Sequence, residues 1–124
     1  MADTASGLVT EKVGEVSVIS FMDEQLGDQR LIEKIGKELM GLVSGRVKPL
    51  VVLDFAKVEY LSSMMLSKLV VAQKIVRQSE GRMCLCSLHP VIKDALRLTK
   101  MDKLFEIHPD TAAAVAELTQ DTEA

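Results

Sequence analysis

The chain has 124 residues, enough for one domain around one core and too few for two. Hydrophobic residues make up 48% of it and charged residues 27%, as in a folded globular domain. The net charge of −3 gives no electrostatic attraction to a phosphate backbone, and a chain without tryptophan offers few rings for stacking on bases, so we expect no direct nucleic-acid binding.

The N-terminal residues carry acids and lack the basic segment and the apolar stretch of a secretory signal. No stretch of the sequence approaches the roughly 20 apolar residues that a membrane-spanning helix needs. We therefore expect a cytoplasmic protein without a membrane span.

The first half of the chain predicts two strands, a helix and a buried strand. Residues 7–22 show short apolar alternation around a turn at Gly14. A helix is expected from an N-cap at Asp28 to a stop near Gly45. Its apolar residues at helical spacing are Leu31, Ile32, Ile35, Leu39 and Leu42. The short apolar run after Pro49 suits a strand covered on both faces.

The second half predicts three helices separated by two strands. A helix runs from about Ser62 to Gln78, and strands are expected within residues 82–88 and 103–108. A helix with Pro90 in its first turn lies between these strands, and a last helix is capped by Asp110. The order predicts an α/β fold, a single-domain sandwich in which helices cover a mixed β-sheet.

The only cysteines, Cys84 and Cys86, lie two apart on a predicted strand, so both point to one face and cannot easily pair with each other. A structural zinc site usually takes four ligands, and the only histidines, His89 and His108, lie in separate segments. We therefore expect reduced core cysteines, no metal site and no cofactor.

Two stretches of the sequence resemble a known family. They are "VVLDFAKVEYLSSMMLSKL" and "GRMCLCSLHPVIKDALRLTKMDKLFEI", and they are similar to the STAS domain, the family of anti-sigma-factor antagonists. Its members share an apolar strand ending in Asp, an Asp-Ser-(Ser/Thr)-Gly-Leu turn, a helix, a further strand and a Leu-x-x-Pro-x-Val-like helix start. The resemblance covers residues 7–118, and it implies a STAS-like domain there between flexible tails at residues 1–6 and 119–124.

The resemblance implies a phosphorylation site. When Leu66 is matched to the family leucine, Ser63 falls on the serine that a partner kinase phosphorylates, with Ser62 in place of the Asp. Met64 and Met65 then replace the second Ser/Thr and the Gly. The same serines suit a purely structural role, because Ser62 or Ser63 is a good N-cap for the following helix. Ser62 is the alternative phosphorylation site.

The helix after the serines carries apolar residues on two sides. One broad arc would cover the sheet and contains Met65, Leu66, Leu69, Val70, Ala72 and Val76. Met64, Val71 and Ile75 fall on the other side, around Ser67 and Lys68. This second stripe is either covered, by a terminus or in a homodimer, or offered to a different protein. The resemblance favours the second, because family members contact their kinase with this surface.

The sequence shows no Ser/His/Asp set, glycine-rich phosphate loop or paired carboxylates, so we expect no enzyme. Asp23 and Asp54 match family acids and are candidate supports of the switch site, although a residue like Asp54 at a strand end also serves to accept backbone N–H groups. The resemblance implies a phosphorylation-gated module whose unmodified form binds a serine kinase with anti-sigma activity and so regulates transcription. The alternative functions are a constitutive scaffold and, less favoured, a small-molecule sensor.

Overall fold

The computed structural model describes the backbone of residues 7–123 and the side chains of residues 7–120. It contains seven strands, four α-helices and one 3-10 turn at Met101–Leu104. The strands are β1 (Leu8–Val13), β2 (Val16–Phe21), β3 (Gln25–Leu26), β4 (Leu50–Asp54), β5 (Tyr60–Leu61), β6 (Arg82–Cys86) and β7 (Glu106–His108). The helices are α1 (Gln29–Val43), α2 (Ser63–Gln78), α3 (Pro90–Leu98) and α4 (Thr111–Glu123).

Five strands form one mixed sheet in the order β1-β2-β4-β6-β7. The hairpin strands β1 and β2 are antiparallel, and the pairs β2–β4, β4–β6 and β6–β7 are parallel. Strand β4 lies at the centre, with Val52 paired to Val18 on one side and to Cys84 on the other. The predicted mixed sheet, with this apolar segment as its central strand, is confirmed.

Helices cover both faces of the sheet, as predicted. Val51 and Leu53 of β4 belong to the larger core cluster, which also contains buried residues of α1, α2 and α3. Val52 and Leu50 point the opposite way into a smaller cluster with residues of α4. Side chains alternate along a strand, so a strand buried on both faces must be apolar at every position, which explains the continuous run after Pro49.

The ends of the predicted helices agree with the structure except at two places. Asp28 occupies the N-cap position of α1, but its side chain makes no capping hydrogen bond. The capping of α4 by Asp110 is confirmed, because its carboxylate accepts the N–H of Ala113 at 2.8 Å. Helix α4 continues to Glu123, so the tail expected at residues 119–124 is helical up to that residue, since nothing between 119 and 123 is glycine or proline. The tail expected at residues 1–6 lies outside the described residues.

A small second sheet is present that was not predicted from the sequence. Strands β3 and β5 pair in parallel, Gln25 with Tyr60 and Leu26 with Leu61. Each strand has two residues, too few for an alternating pattern to be visible in the sequence.

None of the helices in the described part of the chain is long and apolar enough to cross a membrane.

The backbone passes very close to itself where β6 begins. A Cβ atom at Gly81 would lie 2.2 Å from the carbonyl oxygen of Pro49, the same oxygen that accepts the N–H of Arg82 at 2.8 Å. Only a glycine fits between these two segments, because the obstructing atom belongs to the backbone and cannot rotate away.

We expect Gly81→Ala to lower the free energy of unfolding by about 1–3 kcal/mol, the usual cost of forcing an extra methyl group into a packed site. Gly41→Ala is the matched control, because a Cβ at this exposed position of α1 would meet nothing within 4 Å. The control should gain up to about 1 kcal/mol from the better helix propensity of alanine. Urea unfolding of the two variants measures both changes, and equal stability of Gly81→Ala and the native chain would contradict the close approach.

Candidate functional site

Ser62 is the N-cap of α2. Its hydroxyl oxygen accepts the N–H of Met65 at 3.2 Å, and its carbonyl accepts the N–H of Leu66 at 3.0 Å. Both interactions satisfy donors that a helix N-terminus otherwise leaves unpaired. Of the two serines that the sequence offered for this role, the structure therefore assigns the cap to Ser62.

Ser63 is the first residue of α2, and its side chain is exposed. Its carbonyl accepts a hydrogen bond from the hydroxyl of Ser67 at 3.1 Å. Its own hydroxyl makes no hydrogen bond within the described residues. The hydroxyl of Ser63 thus stands in solvent at the helix end where backbone N–H groups create a positive potential.

The small sheet holds the two serines in place. The N–H of Ser62 donates to the carbonyl of Leu26 at 3.0 Å, which continues the β3–β5 ladder up to the helix cap. At the other end of the ladder, the N–H groups of Glu59 and Tyr60 both donate to the carbonyl of Glu24. The segment before Ser63 is therefore tied by backbone hydrogen bonds to the chain that follows β2.

Asp54 and Asp23 lie at the carboxyl edge of the main sheet, and neither is hydrogen-bonded to Ser62 or Ser63. The Asp54 carboxylate accepts the N–H of Ala56 at 3.0 Å and the hydroxyl of Ser20 at 3.4 Å. These bonds are those of a strand-end residue that satisfies local donors. The Oδ2 atom of Asp23 is buried and has no hydrogen-bond partner among the described residues. Because no hydrogen bond joins either acid to the serines, a role for Asp23 or Asp54 in supporting the switch site remains a prediction.

The two sides of α2 differ in burial as the sequence predicts, with one exception. Met65, Leu69, Ala72 and Val76 are fully buried, and Leu66 and Val70 are partly buried. On the other side Met64 and Val71 are exposed, with 39% and 46% of their surface accessible. Ile75 is the exception: it is only partly exposed and packs against the larger core cluster.

Helix α1 accounts for the partial cover of the outer side of α2. The alkyl chain of Lys68 lies against Gly36 of α1, so closely that a Cβ there would come within 3.1 Å of the Lys68 Cδ atom. A shallow groove between the two helices is lined in part by Met40, Lys68 and Val71. We call Met64, Ser67, Lys68 and Val71 the outer face of α2.

A second groove, of about 280 Å³, begins at Ser62 and Ser63 and runs between α2 and α3. Its apolar walls include Leu61 and Leu66 on one side and Ile92, Ala95 and Leu96 on the other. Val91 at its rim is 65% exposed. The sequence gives no sign of this groove, because its two walls are distant along the chain. Ser63 therefore lies between the apolar groove and the outer face, on which the side chains of Met64 and Val71 are exposed.

Helix α2 also contains a buried polar residue that was not predicted from the sequence. Gln73 is 7% exposed, and its side-chain amide donates to the carbonyl of Leu104 at 2.7 Å. This bond ties α2 to the 3-10 turn, which precedes β7. Nothing in the helical periodicity distinguishes a glutamine with a buried partner from an exposed one.

Cys84 and Cys86 are buried and free, as predicted for core cysteines. Burial raises the pKa of the Cys84 thiol to about 12, and the charge of Glu106 adds to the increase. Burial also raises the pKa of Cys86, while a hydrogen bond with Thr111 opposes the change. Both thiols are therefore protonated at neutral pH and poorly reactive.

Solved structures share this arrangement over almost the whole chain. An anti-sigma-factor antagonist (STAS) domain protein from Planctomyces limnophilus has 24% identity and a TM-score of 0.81, with 95% of this chain and 98% of that one covered. An anti-sigma factor antagonist from Mycobacterium paratuberculosis has 22% identity and a TM-score of 0.78, with 90% and 92% covered. The Bacillus cell fate determinant SpoIIAA in its phosphorylated form has 16% identity and a TM-score of 0.66, with 89% and 96% covered. At these identities the likeness shows the fold.

Sequence comparison decides the family. No curated protein matches the chain by sequence. The model of the STAS domain, however, matches residues 15–114, which is most of the chain. The match includes the whole of the Ser62–Ser63 turn, helix α2 and the groove beside it. The chain belongs to the STAS domain family.

Proposed function

We propose that this protein is a phosphorylation-gated binding module of the anti-sigma-factor antagonist type, and that Ser63 is its switch. Its unmodified form binds a serine kinase with anti-sigma activity, which frees a sigma factor and so regulates transcription. Phosphorylation of Ser63 by the same partner releases it. The protein acts by binding and catalyses no reaction itself.

The observation that carries the proposal is that the two serines have different environments. The hydroxyl of Ser62 already holds the helix N-terminus, while that of Ser63 is exposed and makes no hydrogen bond within the described residues. A kinase needs an accessible hydroxyl that can be modified without unfolding its surroundings. Ser63 meets that requirement, and Ser62 does not.

The fold tolerates a phosphate at Ser63. The dianion would lie at the positive end of α2, where negative charge is favourable by about 0.3–1 kcal/mol. The ladder from Leu26 to Ser62 uses only backbone groups, so modification leaves it unchanged. The effect of the phosphate would therefore fall on the partner and not on the fold.

The partner would contact the two surfaces on either side of Ser63, the groove and the outer face. Met64 and Val71 of the outer face are exposed, and methionine adapts its shape to a partner surface. A phosphate beside such a contact adds charge that must lose its water when the complex forms, and this cost weakens binding. The phosphorylated structure of SpoIIAA shares the fold and supports the assignment of such a switch to this chain.

The first test separates the cap from the switch by stability. Ser62→Ala should lose about 0.5–2 kcal/mol in free energy of unfolding, because it removes the N-cap. Ser63→Ala should change the stability by less than about 0.5 kcal/mol, as exposed substitutions usually do. Ser63→Asp should equal or exceed the native chain, because an acid in the first turn favours the helix. Urea unfolding gives all three values, and a Ser63→Ala variant as unstable as Ser62→Ala would contradict the assigned cap.

The second test concerns the switch itself. The native chain purified from its own cells should show a fraction shifted in intact mass by one phosphate, and fragmentation should place that phosphate on Ser63. Ser63→Ala should bind the kinase partner as the unmodified chain does and show no shift, whereas Ser63→Asp should bind about tenfold or more weakly, a loss of about 1.4 kcal/mol.

Ser44→Asp is the control for added charge. Ser44 is exposed and lies at the C-terminal end of α1, after Val43, whereas Ser63 lies at the N-terminal end of α2. Titration calorimetry with the purified partner measures the affinities. A phosphate on Ser62 would move the switch by one residue. Equal affinity of Ser63→Ala and Ser63→Asp would favour a constitutive scaffold.

The third test concerns the outer face. Val71→Glu should leave the free energy of unfolding within about 0.5 kcal/mol of the native value, because the side chain is 46% exposed. It should nevertheless abolish measurable partner binding. Ile75→Glu should unfold the protein more easily, because Ile75 packs against the core.

Val47→Glu is the matched control, since Val47 is 89% exposed and its loop is bonded to the far end of α2 through Lys48 and Ser79. Sedimentation of each variant shows whether the same face instead holds a second copy of the chain. Full binding by Val71→Glu would remove the outer face from the proposed interface.

A further inference from the structure

Three side chains that can bind a metal meet where β6 and β7 pair. Cys84 is the pairing partner of Glu106 in the parallel register, and His108 follows Glu106 by two residues. All three side chains therefore point to the face of the sheet that α4 covers. The Cys84 Sγ atom, a carboxylate oxygen of Glu106 and a ring nitrogen of His108 lie within 4.8 Å of one another.

We propose that Cys84, Glu106 and His108 form a Zn²⁺ site, with water as the fourth ligand. The set of one thiolate, one imidazole and one carboxylate matches the ligands that zinc takes in proteins. Tetrahedral zinc with bonds of about 2.0–2.3 Å places its ligand atoms about 3.6 Å apart. Shifts of about an ångström in side chains would bring the three atoms to these separations.

The surroundings of the three residues fit a cation. His108 has a buried Nε2 atom without a hydrogen-bond partner among the described residues, so at least one ring nitrogen is not engaged elsewhere. Glu106 pairs with Arg82, but a carboxylate has about four lone-pair positions and can bind a metal as well. The side chain of Glu106 is 38% exposed, which gives the ion a path from solvent to the buried thiol.

Charge balance at the cluster also favours a dication. Arg82 contacts two carboxylates, those of Glu106 and Glu117, and the distance to Glu117 is 3.4 Å. One guanidinium beside two carboxylates leaves Arg82, Glu106 and Glu117 together with a net negative charge. Zn²⁺ would replace the proton of the Cys84 thiol, which passes to solvent, and the cluster would become neutral. Glu117 also offers Arg82 a second carboxylate when Glu106 turns toward the metal.

The site would stabilise the edge of the main sheet that β7 forms. Strand β7 has three residues and is the last strand of the sheet, so few backbone bonds hold it. A metal shared by β6 and β7 joins this edge to the interior, and binding to the folded state alone stabilises it. The inference does not depend on the switch at Ser63, which lies on a different element.

Titration of the reduced, metal-free full chain with Co²⁺ and then Zn²⁺ tests the proposal. We expect one Co²⁺ per chain, a thiolate-to-cobalt charge-transfer absorption, its loss when Zn²⁺ displaces the cobalt, and a melting temperature that rises with the logarithm of the Zn²⁺ concentration. Cys84→Ala should lose the absorption. His108→Asn and Glu106→Gln should each weaken Zn²⁺ binding about tenfold or more, since even outer-shell changes cost about 10–100-fold.

Two variants serve as controls. Cys86→Ala removes the neighbouring cysteine, and His89→Asn removes the other histidine, which is exposed at the start of α3. Both should keep the absorption and the affinity. Absence of the absorption in the native chain, or an affinity unchanged in His108→Asn and Glu106→Gln, would overturn the proposal. The test with His108→Asn and Glu106→Gln remains valid even if Cys84→Ala fails to fold, because the side chains of Glu106 and His108 are only partly buried.

Discussion

Strand β4 is paired on both edges and buried on both faces, and every other element of the fold takes its position from it. Parallel strand neighbours require crossover connections, and the helices of these connections are α1, α2 and α3. Three helices collect on one face and α4 alone on the other, because consecutive crossovers keep the same hand. The result is a rigid carboxyl edge from which the segment leading to the serines departs.

The serines are held by a second, smaller constraint. Two-residue strands cannot be stable alone, yet the β3–β5 pair forms because the main sheet already brings its two segments side by side. Through the bond from Ser62 to Leu26, the pair sets where α2 begins. Helix α2 thus starts with a side-chain cap and an exposed first residue. That combination fits the proposed switch at Ser63, in which the phosphate would act on the partner and not on the fold.

The edge of the main sheet where β6 pairs with β7 differs from the apolar core, because polar and ionisable side chains lie side by side there. Cys84 is fully buried within the sheet, whereas Glu106 and His108 belong to its last strand and are only partly buried. A thiol inside an apolar core is inert, whereas a thiol beside a carboxylate and an imidazole matches the ligand set of the proposed zinc site. The pairing of the two parallel strands is what places the three side chains next to one another.

The sequence by itself determined the elements whose signals are local. Continuous apolar runs predicted the central strands, helical spacing predicted the four helices, and Asp110 was recognisable as a cap because capping acts over three residues. The buried arc of α2 was predicted correctly at Met65, Leu69, Ala72 and Val76. The motif around the serines, read with the strands before and after it, also pointed to the family that the STAS domain match shows.

Tertiary structure decided everything that depends on which distant segments become neighbours. It assigned the cap to Ser62 and left Ser63 exposed, although both serines suit a helix start equally well. It covered Ile75 with the rest of the core, opened the groove between α2 and α3, and gave Gln73 a buried partner in Leu104. It also brought Cys84 together with Glu106 and His108, which lie more than 20 residues further along the chain. A sequence pattern reports the environment of a residue only through its near neighbours, whereas strand register and helix packing join residues whose separation along the chain carries no signal.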